Sequence, residues 1–411
     1  MLPPVLEIYV VHHPDDVAGV EVASQIFAHF HGTSFSGLVG GAIEVYTRSL
    51  PWQPEHEAPR PIPFPDEPQP NGVLSARLVA VVPILSLQLA RAVEQGEWHT
   101  YIGTIAIAQE RLPGQVGVFP LAVDDTSNGS RLAGLLQQYQ RLATPPGLHE
   151  PEPLHELRCR DLTQGIAQMV LGSYARLQIF ISHTRRAGTY EEDIPALIRL
   201  VREIIADTRL RQFFDANDLQ PGGNWEATLR QHAASSALLA LRTDLYASRA
   251  WCQREMLLAK RAGMPVVILD SLGRGEERGS FIMDHIPRIP VREVEGGWSK
   301  SDIRRGLNLL VDECLKRVLW RIQQELAADR QDLSIAWWAP HAPEPITFAH
   351  WLRERRDAGH PVLGGMPLRI LHPDPPLGPD ERDSLLELCS LMGHTGALEI
   401  MTPRALSARG A

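Results

Sequence analysis

Apolar positions recur along this chain in two alternating rhythms. Short runs made almost wholly of apolar residues alternate with stretches where apolar residues return every three or four positions. The first rhythm marks strands buried on both faces; the second marks helices with one buried side. The opening region predicts a strand at Val5 to Val11 and a helix through Val20, Ala23, Ile26 and Phe27. Further strands are predicted at Leu78 to Ile84 and Gly117 to Val123. Residues 51–70 hold eight prolines, which excludes helix or central strand and predicts an exposed loop.

Residues 151–175 predict a connecting helix, with Leu154, Leu157, Leu162 and Ile166 at helical spacing. The alternation then restarts. Strands are expected at Leu177 to Ser182, Leu210 to Asp215, Ala237 to Leu241 and Met264 to Asp270. Helices are expected at Asp193 to Ala206 and Ala250 to Ala262, with a loop at Gln220 to Asn224. An amphipathic helix follows at 301–326. Beyond it come short strands at Leu333 to Trp338 and Leu368 to Leu371, a Pro/Gly-rich turn at 372–381, and a helix from Glu381 to Leu391. The fold class expected is α/β, with parallel sheets flanked by helices. The expected division is a domain at 1–130, a connecting helix at 131–175, a second domain at 176–290, the amphipathic helix at 291–330 and a small α/β module at 331–411.

Composition narrows the function classes. The chain has 411 residues, a formal net charge of −9, 44% hydrophobic and 22% charged residues. That balance excludes general disorder and argues against nucleic acid or an anionic membrane as the main partner. Three lysines stand beside 37 arginines (40 basic residues in all), a bias that points to a GC-rich bacterial genome. Four scattered cysteines fit neither a disulfide framework nor a zinc ribbon. The opening MLPPVLEIYVVHHPDD lacks a basic segment, and no apolar run reaches about 18 residues, so a cytoplasmic protein is expected.

An ordered series of motifs lies between residues 177 and 270. It begins with FISH (Phe180 to His183) at a strand end, then FFDANDLQPGGNW (Phe213 to Trp225). A strand, ALLAL, follows, then Tyr246, Ser248 and WCQRE (Trp251 to Glu255), and the series closes with MPVVILD. In this order and spacing the segment resembles a Toll/interleukin-1 receptor (TIR) domain of the bacterial NADase type. The resemblance implies a flavodoxin-like sheet and cleavage of NAD⁺ between nicotinamide and ribose. The products would be nicotinamide and ADP-ribose or a cyclic ADP-ribose. It makes Glu255 the essential carboxylate, and assigns substrate contacts to Ser182, His183, Phe214, Asp215, Trp225 and Trp251. Leu219, Gly222 and Gly223 would belong to a mobile loop. NAD⁺ is the substrate, and neither cofactor nor metal is expected. The resemblance also implies self-association, a nucleotide or protein trigger, and a role in antiphage defence. A non-catalytic TIR scaffold, recruiting partners through the Phe213 to Trp225 loop, is the alternative.

The residues themselves agree with such chemistry. Trp251 and Glu255 stand four apart on one helix and share a face. The nicotinamide of NAD⁺ is already cationic, so its departure needs no general acid. What helps is a carboxylate beside an oxocarbenium-like transition state. The i+3 and i+4 neighbours of Glu255 are Leu258 and Ala259, so the usual helical ion pair is absent. The segment departs from the family pattern at Arg242-Thr243-Asp244 and at Arg249, where serines are expected.

The first region reads as a divergent copy of the second. Ile8 to His12 parallels Ile179 to His183, ARLVAVVPI parallels SALLALRTD, WHTYI (Trp98 to Ile102) parallels WCQRE, and GVFPLAV parallels MPVVILD. Ile102 stands where the glutamate would be. His12-His13-Pro14-Asp15-Asp16 resembles the zinc motif of LmbE/PIG-L N-deacetylases. Val17 replaces its glutamate, however, and no second motif follows; a loop capping the next helix is the plainer reading.

Overall fold

The computed structural model describes residues 5–32, 34–35, 43–67, 75–123, 129–142, 153–172, 177–184, 194–208, 210–212, 236–276, 278–328, 334–359, 367–373 and 375–409. The chain forms two compact units. One holds residues 1–175 with 321–323, and the other holds 176–320 with 324–411.

In the first unit the described elements run β1 (Leu6–Val11), α1 (Val17–Phe30), β2 (Ile43–Arg48), β3 (Leu78–Leu85), α2 (Leu87–Ala92), α3 (Glu97–Arg111), β4 (Val116–Val118), β5 (Leu121–Ala122), α4 (Arg131–Leu135) and α5 (Leu154–Leu171). The strands pair in parallel in the order β2-β1-β3-β4, with β5 also on β3. All eight residues of β3 are buried, as a central strand covered on both faces requires. α3 buries Trp98, Tyr101, Ile102, Ile105 and Ala108, the i, i+3, i+4, i+7 stripe of a core-facing helix.

Two expectations for this unit need correction. The proline-rich segment is not simply exposed: Ala58, Ile62 and Phe64 are buried and join the core beneath α3. Proline forbids regular pairing there, but it does not prevent apolar side chains from packing. The run Gly117 to Val123 is not one strand, because it breaks at Phe119-Pro120 into β4 and β5. Pro120 has no N–H to give a ladder. β2 was not expected at all; it is an edge strand with only Val45 buried, so its apolar signal is faint.

The second unit begins with β6 (Gln178–Ser182), α6 (Ile194–Ala206), β7 (Arg211–Gln212), β8 (Ser236–Arg242), α7 (Ala250–Ala262), β9 (Val266–Asp270) and β10 (Arg288–Pro290). All pairings are parallel, in the order β10-β9-β8-β6-β7. Counted from β6, that is the 2-1-3-4-5 order of flavodoxin-like sheets. Alternate residues of each strand feed two cores. Ile179, Ile181, Leu239 and Leu241 face Leu197, Val201 and Ile204 of α6. Phe180, Leu238, Ala240 and Ile268 face Cys252, Met256 and Ala259 of α7.

A small antiparallel pair, β11 (Glu293–Val294) and β12 (Gly297–Trp298), leads into α8 (Lys300–Ala328), somewhat longer than its predicted extent. Ile303, Leu307, Leu310 and Val311 of α8 pack in the α6-side core. The chain ends with β13 (Trp337–Trp338), α9 (Pro345–Asp357), β14 (Leu368–Leu371), α10 (Pro379–Leu391), β15 (Leu398–Met401) and α11 (Pro403–Arg409). β13-β14-β15 form a parallel three-stranded sheet over a core of Phe348, Leu352, Ile370, Leu385 and Cys389. Trp320, near the end of α8, is buried against Trp338, with ring centroids 5.2 Å apart. This module therefore packs within the same unit as the larger sheet. Its α9, β15 and α11, and β10 to β12 before it, carried no recognised sequence signal.

Candidate active site

The carboxyl ends of parallel strands are where doubly wound folds gather ligands. β6 ends there on Ser182, and α7 begins at the same end after the turn through residues 243–249. The buried face of α7 carries Cys252, Glu255, Met256 and Ala259, again at helical spacing. Glu255 is therefore aimed at the sheet, and only 2% of it is exposed. That excludes the solvated surface glutamate that a helix position alone would suggest.

A carboxylate so far removed from water needs partners. The Ser182 hydroxyl donates to Glu255 Oε2 at 2.5 Å, and the Tyr246 hydroxyl lies 2.6 Å from Ser182 Oγ. A serine hydroxyl has one proton. With that proton on the Glu255 bond, Tyr246 must donate to Ser182, so the chain runs Tyr246 to Ser182 to Glu255. Ser182 and Tyr246 are as fully buried as the glutamate. Burial, then the neighbouring Cys252 and Glu255, pushes the Tyr246 phenol well above its ordinary range, so it remains a protonated donor.

The other predicted residues take distinct places. His183 follows Ser182, and its Nδ1 donates to the Thr184 carbonyl at 3.0 Å. Cys252 is buried, with Sγ 3.7 Å from the His183 carbonyl oxygen. Trp251 is the second residue of α7 and is 39% exposed, at the rim of the sheet end. Phe214, Asp215, Leu219, Gly222, Gly223 and Trp225 lie outside the described residues.

Arg242-Thr243-Asp244, the departure from the expected pattern, organises the rim. Arg242 forks onto Glu276, with Nε to Oε1 at 2.8 Å and Nη2 to Oε2 at 2.5 Å, and its Nη1 reaches Asp270 at 3.1 Å. Asp244 accepts the backbone N–H groups of Gly273, Arg274 and Gly275 at 2.9, 2.9 and 3.2 Å. Together they fix the segment after β9 against the ends of β8 and β9. Ser248 bonds only the Leu245 carbonyl among its described contacts.

Residues 179–282 match the family model described as TIR domain. This segment is a TIR domain. The match runs from the second residue of β6 through β9 and stops before β10. No curated protein matches the chain. Among solved structures, a presumed phosphosugar isomerase from Silicibacter pomeroyi DSS-3 is 9% identical over 80% of this chain and 87% of its own, with a TM-score of 0.21. Within the TIR domain, the reading of motifs missed the part played by Tyr246. The tyrosine stood in the motif series, but its partner is 64 residues away in sequence, and no local pattern reports that contact. The Arg242–Glu276 and Asp244 clamps were missed for the same reason.

In the first unit, Asp16 accepts the Gly19 N–H at 3.0 Å and caps α1. The HHPDD motif thus does the work of a helix start.

Proposed function

We propose that the TIR domain is an NAD⁺ glycohydrolase in which Glu255 is the catalytic carboxylate. The observation that carries the reading is the buried Tyr246–Ser182–Glu255 chain at the carboxyl end of the sheet. The fold itself has no need of a carboxylate there. In the first unit, Trp98 is the second residue of α3 and Ile102 the sixth; in the TIR domain, Trp251 and Glu255 hold the same places on α7. Ile102 is fully buried in an apolar core. A buried charge in place of such a residue is costly, and a catalytic role is what would retain it.

The chemistry follows from the geometry. Ser182, itself held by Tyr246, fixes the carboxylate in one orientation. When NAD⁺ is bound, nicotinamide leaves as a neutral ring and positive charge develops at the ribose. A carboxylate already desolvated and oriented stabilises that charge without reorganising. Water then captures the ribosyl cation and gives up a proton to the solvent to form ADP-ribose, or an adenine nitrogen captures it to give a cyclic product. His183 and Trp251 stand at the same sheet end, and the proposal gives them the contacts to ribose and base. The resemblance to enzymatic TIR domains extends the reading to activation by self-association and to bacterial antiphage defence through NAD⁺ depletion.

The test is nicotinamide release from NAD⁺ by the full chain at high protein concentration, beside Glu255→Gln. Release by the natural protein alone supports the assignment. Equal release by both removes Glu255 from the mechanism. Release by neither favours the scaffold.

A further inference from the structure

A second candidate site lies in the same unit, away from the TIR sheet end. A cavity of about 90 Å³, opening to solvent, is lined by the end of α7, the start of β9 and the α9 region. One wall is the stacked indole pair Trp337 and Trp351, with ring centroids 5.0 Å apart and planes within 8°. Another carries a buried ion pair. Lys260 Nζ donates to Glu344 Oε1 at 2.6 Å and to the Asp284 carbonyl at 2.8 Å.

The pair leaves one group unserved. Glu344 Oε2 is buried and has no hydrogen-bond partner among the described residues, on a side chain 91% buried. His341 Nε2, on the same lining, is likewise buried and unpartnered among the described residues. Burial and the cations Arg317 and Lys260 push the His341 imidazole down to about 3, so the ring is neutral. A neutral imidazole has one N–H. The ring hydrogen-bonds the Met264 backbone, whose own N–H already goes to Ala259, so His341 donates to the Met264 carbonyl. Nε2 is then a bare acceptor. Two buried acceptors without donors are an expensive arrangement in a protein interior. A ligand that brought donors would relieve it.

We infer that this cavity binds a planar heterocycle carrying an exocyclic amino or amide NH₂, the chemistry shared by amino-bearing nucleobases and nicotinamide. The indole pair offers a flat apolar wall for such a ring. Glu344 Oε2 and His341 Nε2 accept its N–H groups. The Lys260 ammonium has a third proton beyond its two bonds, suited to a ring nitrogen or amide oxygen. A free carboxylate on the ligand would face two bare acceptors and be rejected.

Calorimetric titration of the full chain tests this with two matched pairs, adenosine against inosine and nicotinamide against nicotinate. The NH₂-bearing member of at least one pair is expected to bind at least ~10-fold tighter than its partner, because an analogue without the donor leaves the acceptors unpaired. The pair that shows the difference identifies the source. Glu255→Gln should bind as the natural chain does, which separates this cavity from the catalytic reading. Glu344→Gln turns one acceptor partly into a donor and should weaken binding by a similar factor. Trp351→Ala, outside the ion pair, should do the same, with thermal melts confirming that each variant is folded. Absence of binding by both NH₂ compounds at millimolar concentration overturns the inference. So does equal binding within both pairs, or binding unchanged in the two folded cavity variants.

Discussion

Glu255 acts through its surroundings. A carboxylate with 2% exposure accepts from Ser182, and Ser182 in turn is bonded to the Tyr246 phenol. Glu255→Gln keeps the shape and removes the charge. We expect nicotinamide release to fall by about 100-fold or more, the scale of losing one well-placed electrostatic group, with the melting temperature little changed. Ser182→Ala leaves the Tyr246 hydroxyl and a glutamate oxygen without their partner. Thermal or urea unfolding should show a loss of roughly 1–3 kcal/mol, and activity should fall with it. Tyr246→Phe preserves the ring packing and takes away only the outer bond, so its effect on kcat should be smaller than that of Ser182→Ala. Glu255 and Ser182 were singled out from the short motifs WCQRE and FISH, and the fold brings them into contact. Tyr246 could be read only as a motif letter. Its value lies in a contact with β6, and hydrogen bonds between elements leave no periodic trace.

At the scale of elements, the sequence was most legible where burial is two-sided. The all-apolar β3, β8 and β9 were expected close to where they lie, and α7 matched at both ends. Edge strands such as β2 and β10 are half solvated, so hydropathy barely marks them. The entry to α8 shows what composition alone hides. Asp302 is almost wholly buried and accepts from Arg292 through its backbone N–H and side chain, at 2.8 to 3.2 Å. The Arg292 guanidinium holds the Asp302 carboxyl down at about 2, below its ordinary 3.8. A carboxyl depressed on folding stabilises the protein above its unfolded value, and that contribution fades as pH falls toward the folded value. Asp302→Asn should therefore lower Tm at pH 7. The difference from the natural chain should shrink between about pH 4 and pH 2, as melts across that range would show. On the TIR rim, Asp244→Ala removes the acceptor of three backbone N–H groups. Hydrogen exchange at Gly273 and Gly275 should quicken while the sheet amides stay protected.

The molecule as a whole sets two parallel sheets of like order in one chain. With Ile8 placed on Ile179, β1 and β6 pair with Ala80 and Ala237 in turn, so the repeat runs three residues off the alignment read from sequence alone. Counted from each helix start, Trp98 and Ile102 of α3 hold the places of Trp251 and Glu255 of α7, although Trp98 is buried and Trp251 is 39% exposed. Ile102→Glu should not create a second active centre. It buries a carboxylate in an apolar cluster, and should cost several kcal/mol, read as a sharp drop in Tm. No helix among the described residues is long and apolar enough to cross a membrane. The buried triad of the TIR domain has one more consequence. Its members come from the end of β6, the turn after β8 and the middle of α7, and the first and last stand 73 positions apart in sequence. Ser182 is synthesised long before there is a glutamate for it to hold. During refolding, the carboxylate is in register only once α7 has closed on the sheet. On the proposed function, NAD⁺ cleavage should thus return with the docking of α7 and lag the recovery of helical signal.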